Sequence, residues 1–234
     1  MNYKVISFIF LSLLLISGGV ILNNSYYEEQ LTQLEDEKEQ INKTNDSLVD
    51  QNEYLRSKET VTQEGLTMEE WQELERNADQ MVTNSDGNFK KSWALFLNKK
   101  AKEYEVDPFI VYELLRVETG NTFDPELTGP ETKYGHAYGM SQFMENTAPW
   151  IAEMAGLPYE KELLFDPEYS IELSIVYLDF LHHKYDNWDE ALTAYHRGMG
   201  GLEKYKANKG HAASWYAVEI QEEAEKRRQV AFAN

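Results

Sequence analysis

From Phe89 onward, apolar residues recur at three- and four-residue spacing, and this period narrows the fold more than any other feature of the chain. Phe89, Trp93, Phe96, Leu97, Ala101 and Tyr104 define one face of a helix, the pattern of a segment that buries one side. Helix start signals punctuate the run. Asp107-Pro108 joins an N-cap residue to a proline at the first helical position, and Asp166-Pro167 repeats it ahead of Ile171, Ile175, Leu178, Phe180 and Leu181. Asn187-x-x-Glu190 resembles a capping box opening a helix from Asp189 to His196. Alternating runs rich in Val and Ile are nearly absent, so the fold is expected to be mainly α. One loop-rich stretch, Thr119 to Ala137, has the composition for turns or a small hairpin.

The chain before this region divides further. Val5 to Leu22 carries no charge and is just long enough to span a bilayer, which takes ~17–25 apolar residues. It runs into Asn23, Asn24, Ser25, Tyr26 and Tyr27 with no small-residue cleavage pattern, which favours an uncleaved anchor over a signal peptide. Lys4 lies on one side and acidic residues on the other, so the expected topology is single-pass in the cell membrane with the bulk of the chain extracellular. Beyond it, Leu34, Ile41, Leu48 and Leu55 repeat every seven residues, with Tyr27 in phase. Read as d positions of a heptad, they have Leu31, Lys38, Asn45 and Asn52 as their a partners. Polar Asn at a favours two strands, so a homodimer through a coiled coil and a solvated monomeric helix both stay open. Gln63 to Gly65 breaks the repeat, and Trp71, Leu74, Ala78 and Met81 then mark a short amphipathic helix ending at Asn84-Ser85-Asp86-Gly87. The expected organisation is an anchor over 1–24, a coiled-coil stalk over 25–62, a linker helix over 63–85 and the main helical domain over 86–234.

Charge removes several function classes. With 41 acidic against 22 basic residues, a formal net charge of -19 does not suit nucleic acid, whose phosphates need clustered Lys and Arg. The absence of cysteine excludes disulfides, thiolate metal sites and cysteine nucleophiles. His182-His183, His196 and His211 match no compact ligand spacing, so no metal or cofactor is expected.

The chemistry concentrates around Glu118. The helix opened by Asp107-Pro108 ends at Thr119-Gly120, which puts Glu118 in its last turn beside Leu114, Leu115 and Val117. A carboxylate at the negative end of the helix dipole is disfavoured by ~0.3–1 kcal/mol, and an apolar setting disfavours it further. Both raise the pKa, as a general acid working near neutrality requires.

Further segments follow in order: Phe123-x-Pro125, then Tyr138-Gly139-Met140-Ser141-Gln142-Phe143-Met144 with Thr147-Ala148, Asp166-Pro167 with Tyr177-Leu178, and Ala191-Leu192-x-Ala194-Tyr195-His196-x-Gly198. In this order, over about residues 98 to 205, the chain resembles the soluble lytic transglycosylase family, which shares its fold with goose-type lysozyme. The resemblance implies a lysozyme-like α domain that acts on peptidoglycan glycan strands. It makes Glu118 the acid that protonates the glycosidic oxygen and Thr119 its hydroxyl-bearing neighbour. Gln142 would line the cleft beside the sugar's polar groups, Gly139 would let backbone approach it, and Met140 and Met144 would border it. Tyr195 would reach the catalytic carboxyl or the sugar.

Thr119, Ser141 and His196 stand where the family pattern has Ser, Met and Asn, so Ser141 alters one cleft wall and His196 substitutes an imidazole for an amide. The span from Glu118 to Gly139 is longer than usual and carries Asp124, Glu126 and Glu131. Glycosidases normally use two carboxylates, whereas the family resembles a one-carboxylate variant in which the 6-hydroxyl of muramic acid closes a 1,6-anhydro ring. The favoured expectation is therefore a lytic transglycosylase cleaving the MurNAc-GlcNAc β-1,4 bond. A hydrolytic muramidase using a loop acid, and a non-catalytic wall-binding scaffold, are the alternatives.

Overall fold

The computed structural model describes residues 28, 30–55 and 66–233. The expected membrane span, the start of the stalk and the break at Gln63 to Gly65 lie outside the described residues. Among the described residues, no helix is long and apolar enough to cross a membrane. They form two compact units divided between Glu53 and Tyr54. Helix α1, residues 30–55, supplies the first unit up to Glu53, and Leu34, Ile41 and Leu48 are exposed along it in the single chain.

The second unit is helical almost throughout. Helix α2 (Met68–Asn84) begins at a capping box in which the Thr67 side chain accepts from the Glu70 backbone while the Glu70 carboxylate returns to the Thr67 N–H, and it buries Leu74, Ala78 and Met81. Then come α3 (Lys91–Glu103) and α4 (Pro108–Glu118), a two-stranded hairpin, α5 (Ala148–Met154) and a 3-10 turn over Lys161–Phe165. Four helices complete the unit: α6 (Pro167–Tyr185), α7 (Trp188–Arg197), α8 (Met199–Lys209) and α9 (Trp215–Ala233).

Both Asp-Pro signals act as expected. Asp107 accepts from the Phe109 N–H at 2.8 Å and Asp166 from the Tyr169 N–H at 2.9 Å. Asn187 caps α7 by accepting from the Glu190 N–H at 3.1 Å, and the Glu190 carboxylate pairs with Lys206. Helix α6 is apolar nearly all round, the mark of a buried helix, and its residues serve both cores. Ile171, Ile175 and Leu178 join a cluster with α2, α3, α4 and α9. Leu173, Val176, Tyr177, Phe180 and Leu181 join another with α5, α7 and the hairpin.

The hairpin lies just past the loop-rich stretch. Strand β1 (Ala137–Tyr138) pairs antiparallel with β2 (Phe143–Met144), Ala137 facing Met144 and Tyr138 facing Phe143. Gly139 to Gln142 form its turn, so the segment singled out by motif is a connection held between two very short strands.

Candidate active site

Helix α4 delivers Glu118 at its final residue, and the following turn fixes the chain beyond it. The Thr119 hydroxyl donates to the Leu115 carbonyl at 2.7 Å and accepts from the Phe123 N–H at 3.0 Å. Phe123 takes a φ of 51°, a left-handed backbone that costs an L-residue ~1–2 kcal/mol. Its ring is buried, stacked 5.2 Å from Tyr112 and tilted 5.0 Å from Phe89. Burying an aromatic ring contributes ~1.5–3 kcal/mol, enough to hold the strained turn. Thr119 thus serves the helix end rather than the cleft, where it was expected. Both of its hydrogen-bonding directions are used within the chain, and it is buried.

Glu118 is half-buried. Burial pushes its carboxyl up to about 7 against the opposing pull of Tyr216, whose hydroxyl donates to Glu118 Oε1 at 2.6 Å. Desolvation penalises the charged form and the hydrogen bond favours it, and desolvation wins. Tyr216 is itself buried. Burial first, then the charge of Glu118, hold its phenol well above the usual value.

The expected partner, Tyr195, points elsewhere. Its hydroxyl donates to the Ser141 carbonyl at 3.1 Å, and its ring packs between Phe143 and Tyr177 at 5.6 and 5.2 Å. It still lies within electrostatic reach of Glu118, whose charge adds to burial in raising its phenol. The group that touches the carboxyl is thus Tyr216, which the sequence reading missed. The only local signal was a helix start, Ser214 accepting from the Ala217 N–H at 3.3 Å, and it does not name the partner. His196 sits at the rim, exposed, its ring stacked on Tyr216 with centroids 4.6 Å apart and planes 12° apart. Partial burial and the neighbouring Arg197 lower its pKa, so the imidazole is neutral near pH 7.

Tyr216 is placed by a ladder of ion pairs between α4 and α9. Arg116 joins Glu219 at 3.0 Å, Arg227 joins the fully buried Glu113 at 3.1 Å, Arg116 closes on the same Glu113, and Arg228 pairs with Asp107. Low numbers on α4 meet high numbers on α9, so the helices run antiparallel and the ladder ends where Tyr216 meets Glu118.

The hairpin turn corrects several expectations. Met140 is fully buried in the first core rather than bordering a cleft. Gly139 has a φ of 72°, and a Cβ there would lie 1.8 Å from the Leu164 carbonyl oxygen. The 3-10 turn packed against it requires a glycine here. Ser141 is fully buried, its hydroxyl donating to the Ser170 carbonyl at 2.7 Å and touching Ser174, so it ties the turn to α6. Gln142, at a φ of 50°, uses its amide to donate to the Gly139 carbonyl at 2.8 Å and the Leu127 carbonyl at 3.3 Å. That clasp holds the long loop against the turn. Gln142 and Met144 remain half-buried, so each keeps surface for a ligand.

The loop acids Asp124, Glu126 and Glu131 are exposed, and Asp124 accepts from the Glu126 N–H at 3.0 Å. No second carboxylate contributes to the raised pKa of Glu118 among the described residues. Among these residues, too, no group of three or more His, Cys, Asp or Glu is arranged to hold a metal ion.

Comparison with known proteins adds to this geometry. The family model described as "Transglycosylase SLT domain" matches residues 96–218, which include Glu118, the hairpin, Tyr195 and Tyr216. No curated protein matches the chain. Among solved structures, an inactive mutant of lytic transglycosylase Slt from Pseudomonas aeruginosa aligns at 24% identity with a TM-score of 0.45, covering 62% of this chain and 23% of that one. The 70 kDa soluble lytic transglycosylase SLT70 from Escherichia coli aligns at 20% identity with a TM-score of 0.41, covering 66% and 26%. The chain spans about a quarter of the length of either protein.

Proposed function

The chain belongs to the transglycosylase SLT domain family, and from that premise we propose that it is a peptidoglycan lytic transglycosylase cleaving the β-1,4 bond between N-acetylmuramic acid and N-acetylglucosamine. One observation carries the reading: Glu118 is held half-buried at the end of α4, its pKa raised to about 7, with Tyr216 bonded to it at 2.6 Å. A carboxyl so placed is populated in both protonation states near neutrality, as a group that acts first as acid and then as base requires.

In this mechanism protonated Glu118 gives its proton to the glycosidic oxygen, and the bond from that oxygen to C1 of the muramic acid breaks. The N-acetylglucosamine side leaves with a free 4-hydroxyl. The Glu118 carboxylate then withdraws the proton of the muramic acid's 6-hydroxyl as that oxygen bonds to C1. The ring closes as a 1,6-anhydro sugar and Glu118 is again protonated. Tyr216 stabilises the carboxylate between the two steps by donating to it. Among the described residues no other carboxylate shifts the titration of Glu118, which supports this route over hydrolysis.

The remaining parts of the proposal follow from the sequence. The charge-free run Val5 to Leu22 supports a single-pass anchor with the domain outside the cell, where its glycan substrate lies. The heptad over 25–62 supports a stalk that spaces the domain from the membrane, as a monomer or a dimer.

Turnover of purified peptidoglycan by the full chain tests the reading. The wild type is expected to clear it, and Glu118→Gln, which keeps the shape but has no acidic proton, is expected to lose activity by a factor on the order of 10³. A folded Glu118→Gln variant within a few-fold of wild type would remove Glu118 from the chemistry.

A further inference from the structure

Glu73, Arg76 and Asn77 lie at positions i, i+3 and i+4 of α2 and so share one face of that helix. With the start of α4 and Arg228 of α9, that face lines a cavity of about 190 Å³. The cavity is remote from the catalytic carboxyl. It lies at the Asp107 end of α4 while Glu118 is at the other, and a rise of ~1.5 Å per residue puts roughly 15 Å of helix between them.

The polar groups around the cavity divide into those already engaged and those still free. Asp107 accepts from the Phe109 N–H with one oxygen and pairs with Arg228 through the other, and Arg228 also pairs with Glu225. Asn77 is only 9% exposed, yet its side-chain amide has no hydrogen-bond partner among the described residues. Buried amides ordinarily find one. Gln80 donates to the Arg227 carbonyl and Asn98 to the Ala94 carbonyl, each at 2.8 Å. Arg76 and Glu73 are exposed, and neither has an opposite charge at ion-pair distance among the described residues.

One free cation, one free anion and one free amide around a single cavity suit a ligand that carries both charges. A simple anion would face Glu73 unneutralised, and a simple cation would face Arg76. A zwitterion satisfies both. The N–H groups of Arg76 and Asn77 are donors for a carboxylate, and the Glu73 carboxylate accepts from an ammonium. The rest of the wall is apolar, with Phe109 buried and Pro108 and Ala231 half-buried. Sites for drug-sized ligands enclose ~300–1,000 Å³, so this smaller cavity fits a molecule the size of one amino acid.

We propose that the cavity between α2, the start of α4 and α9 binds a small free amino acid, with Arg76 and Asn77 taking its carboxylate, Glu73 its ammonium and Phe109 its apolar side chain. The site is separate from Glu118 and does not depend on the reaction assigned there. Its wall includes the Asp107–Arg228 pair, the far rung of the ladder between α4 and α9, so an occupant braces those two helices against α2.

Calorimetric titration of the full chain with L-alanine and with D-alanine tests the site. N-acetylalanine, which lacks the ammonium, and alaninamide, which lacks the carboxylate, are the controls. At least one hand of alanine is expected to bind with a Kd of about 1 mM, within what so few atoms can deliver. It should also raise the melting midpoint by a few degrees at about ten times that concentration. Both blocked forms are expected to bind about tenfold more weakly, the weight of one charge-assisted contact. Arg76→Gln should erase the preference for alanine over alaninamide, and Glu73→Gln the preference over N-acetylalanine. Both positions are exposed, so the fold is expected to survive either change. No saturable binding of either hand at about twenty times the expected Kd would overturn the proposal. Equal binding of the blocked forms would overturn it too, as would preferences unchanged in the two variants. Each readout is binding alone, so its failure leaves glycan cleavage standing.

Discussion

Tyr216 and Glu118 meet through a 2.6 Å hydrogen bond across 98 residues of sequence, and this bond pulls the Glu118 carboxyl in a direction opposite to its burial. Burial is the stronger effect, so the pKa stands at about 7. Because the first step needs the protonated acid, cleavage is expected to decline as pH rises through about 7. Tyr216→Phe removes the contact that favours the carboxylate, so this limb should move upward by about one to two pH units, the weight of one hydrogen bond to a charged group. A pH profile of kcat for both proteins checks it. An unmoved or lowered limb in the variant would show that Tyr216 does not act on Glu118.

The same burial has a cost in stability. The folded carboxyl titrates near 7 and the unfolded one near 4.5, so between these values the folded state holds the extra proton. Stability contributed by the neutral group is therefore present below about 4.5 and is lost as pH rises through about 7. The full difference is at most about 3 kcal/mol. Glu118→Gln removes the titration, so its melting temperature should exceed that of the wild type at pH 8 by several degrees and converge with it at pH 4.5. Thermal melts at the two pH values measure the gap.

Local signals and long-range contacts fared differently in the sequence. Asp107-Pro108 and Thr119-Gly120 bracket α4 because capping is settled within a few residues, and so Glu118 was legible at the helix end. The amphipathic patterns that became α2 and α3 were legible for the same reason. The motif marks Gly139, Met140 and Ser141 as a special segment, but their burial and packing partners are not legible there. The Leu164 backbone and the Ser170 and Ser174 hydroxyls that explain them come from elements more than twenty residues away. Tyr216 was invisible for the same reason, since nothing within its own helix indicates that α9 returns along α4.

That return depends on residues beyond the stretch that matches the family. Glu219, Arg227 and Arg228 lie after residue 218 and carry the α9 side of the ladder. Removing one partner of a buried pair leaves the other charge poorly compensated. Arg116→Met, which strips one partner from buried Glu113 but leaves it Arg227, and releases Glu219, is expected to cost about 1–3 kcal/mol, the penalty of a partly unsatisfied buried group. Urea denaturation followed by circular dichroism reads the loss, and a midpoint equal to wild type would mean the ladder is ornamental. A chain stopped after Val218 should lose cleavage altogether, because Tyr216 would sit on a helix one turn long.

Two glycines separate close approach from backbone strain. Gly139 combines a φ of 72° with a Cβ position 1.8 Å from the Leu164 carbonyl oxygen, whereas Gly120 has a φ of 57° and open space. Gly120→Ala should cost only the left-handed backbone, about 1–2 kcal/mol. Gly139→Ala must also displace the backbone of the 3-10 turn and should cost well over about 3 kcal/mol. Expression level and denaturation midpoint compare them, and similar losses would contradict the packing assigned to Gly139.

If one carboxyl, Glu118, performs both proton transfers, the new glycan end carries the signature of that chemistry. Purified strands digested with the full chain should yield fragments ending in 1,6-anhydro-muramic acid. Such ends resist borohydride and are lighter by one water than hydrolytic ends, so mass spectrometry before and after reduction distinguishes the two. Anhydro ends are expected from the wild type and none from Glu118→Gln. Predominantly reducible ends would contradict it, since water, positioned by a second acid such as Asp124, Glu126 or Glu131, would then be the group that attacks C1.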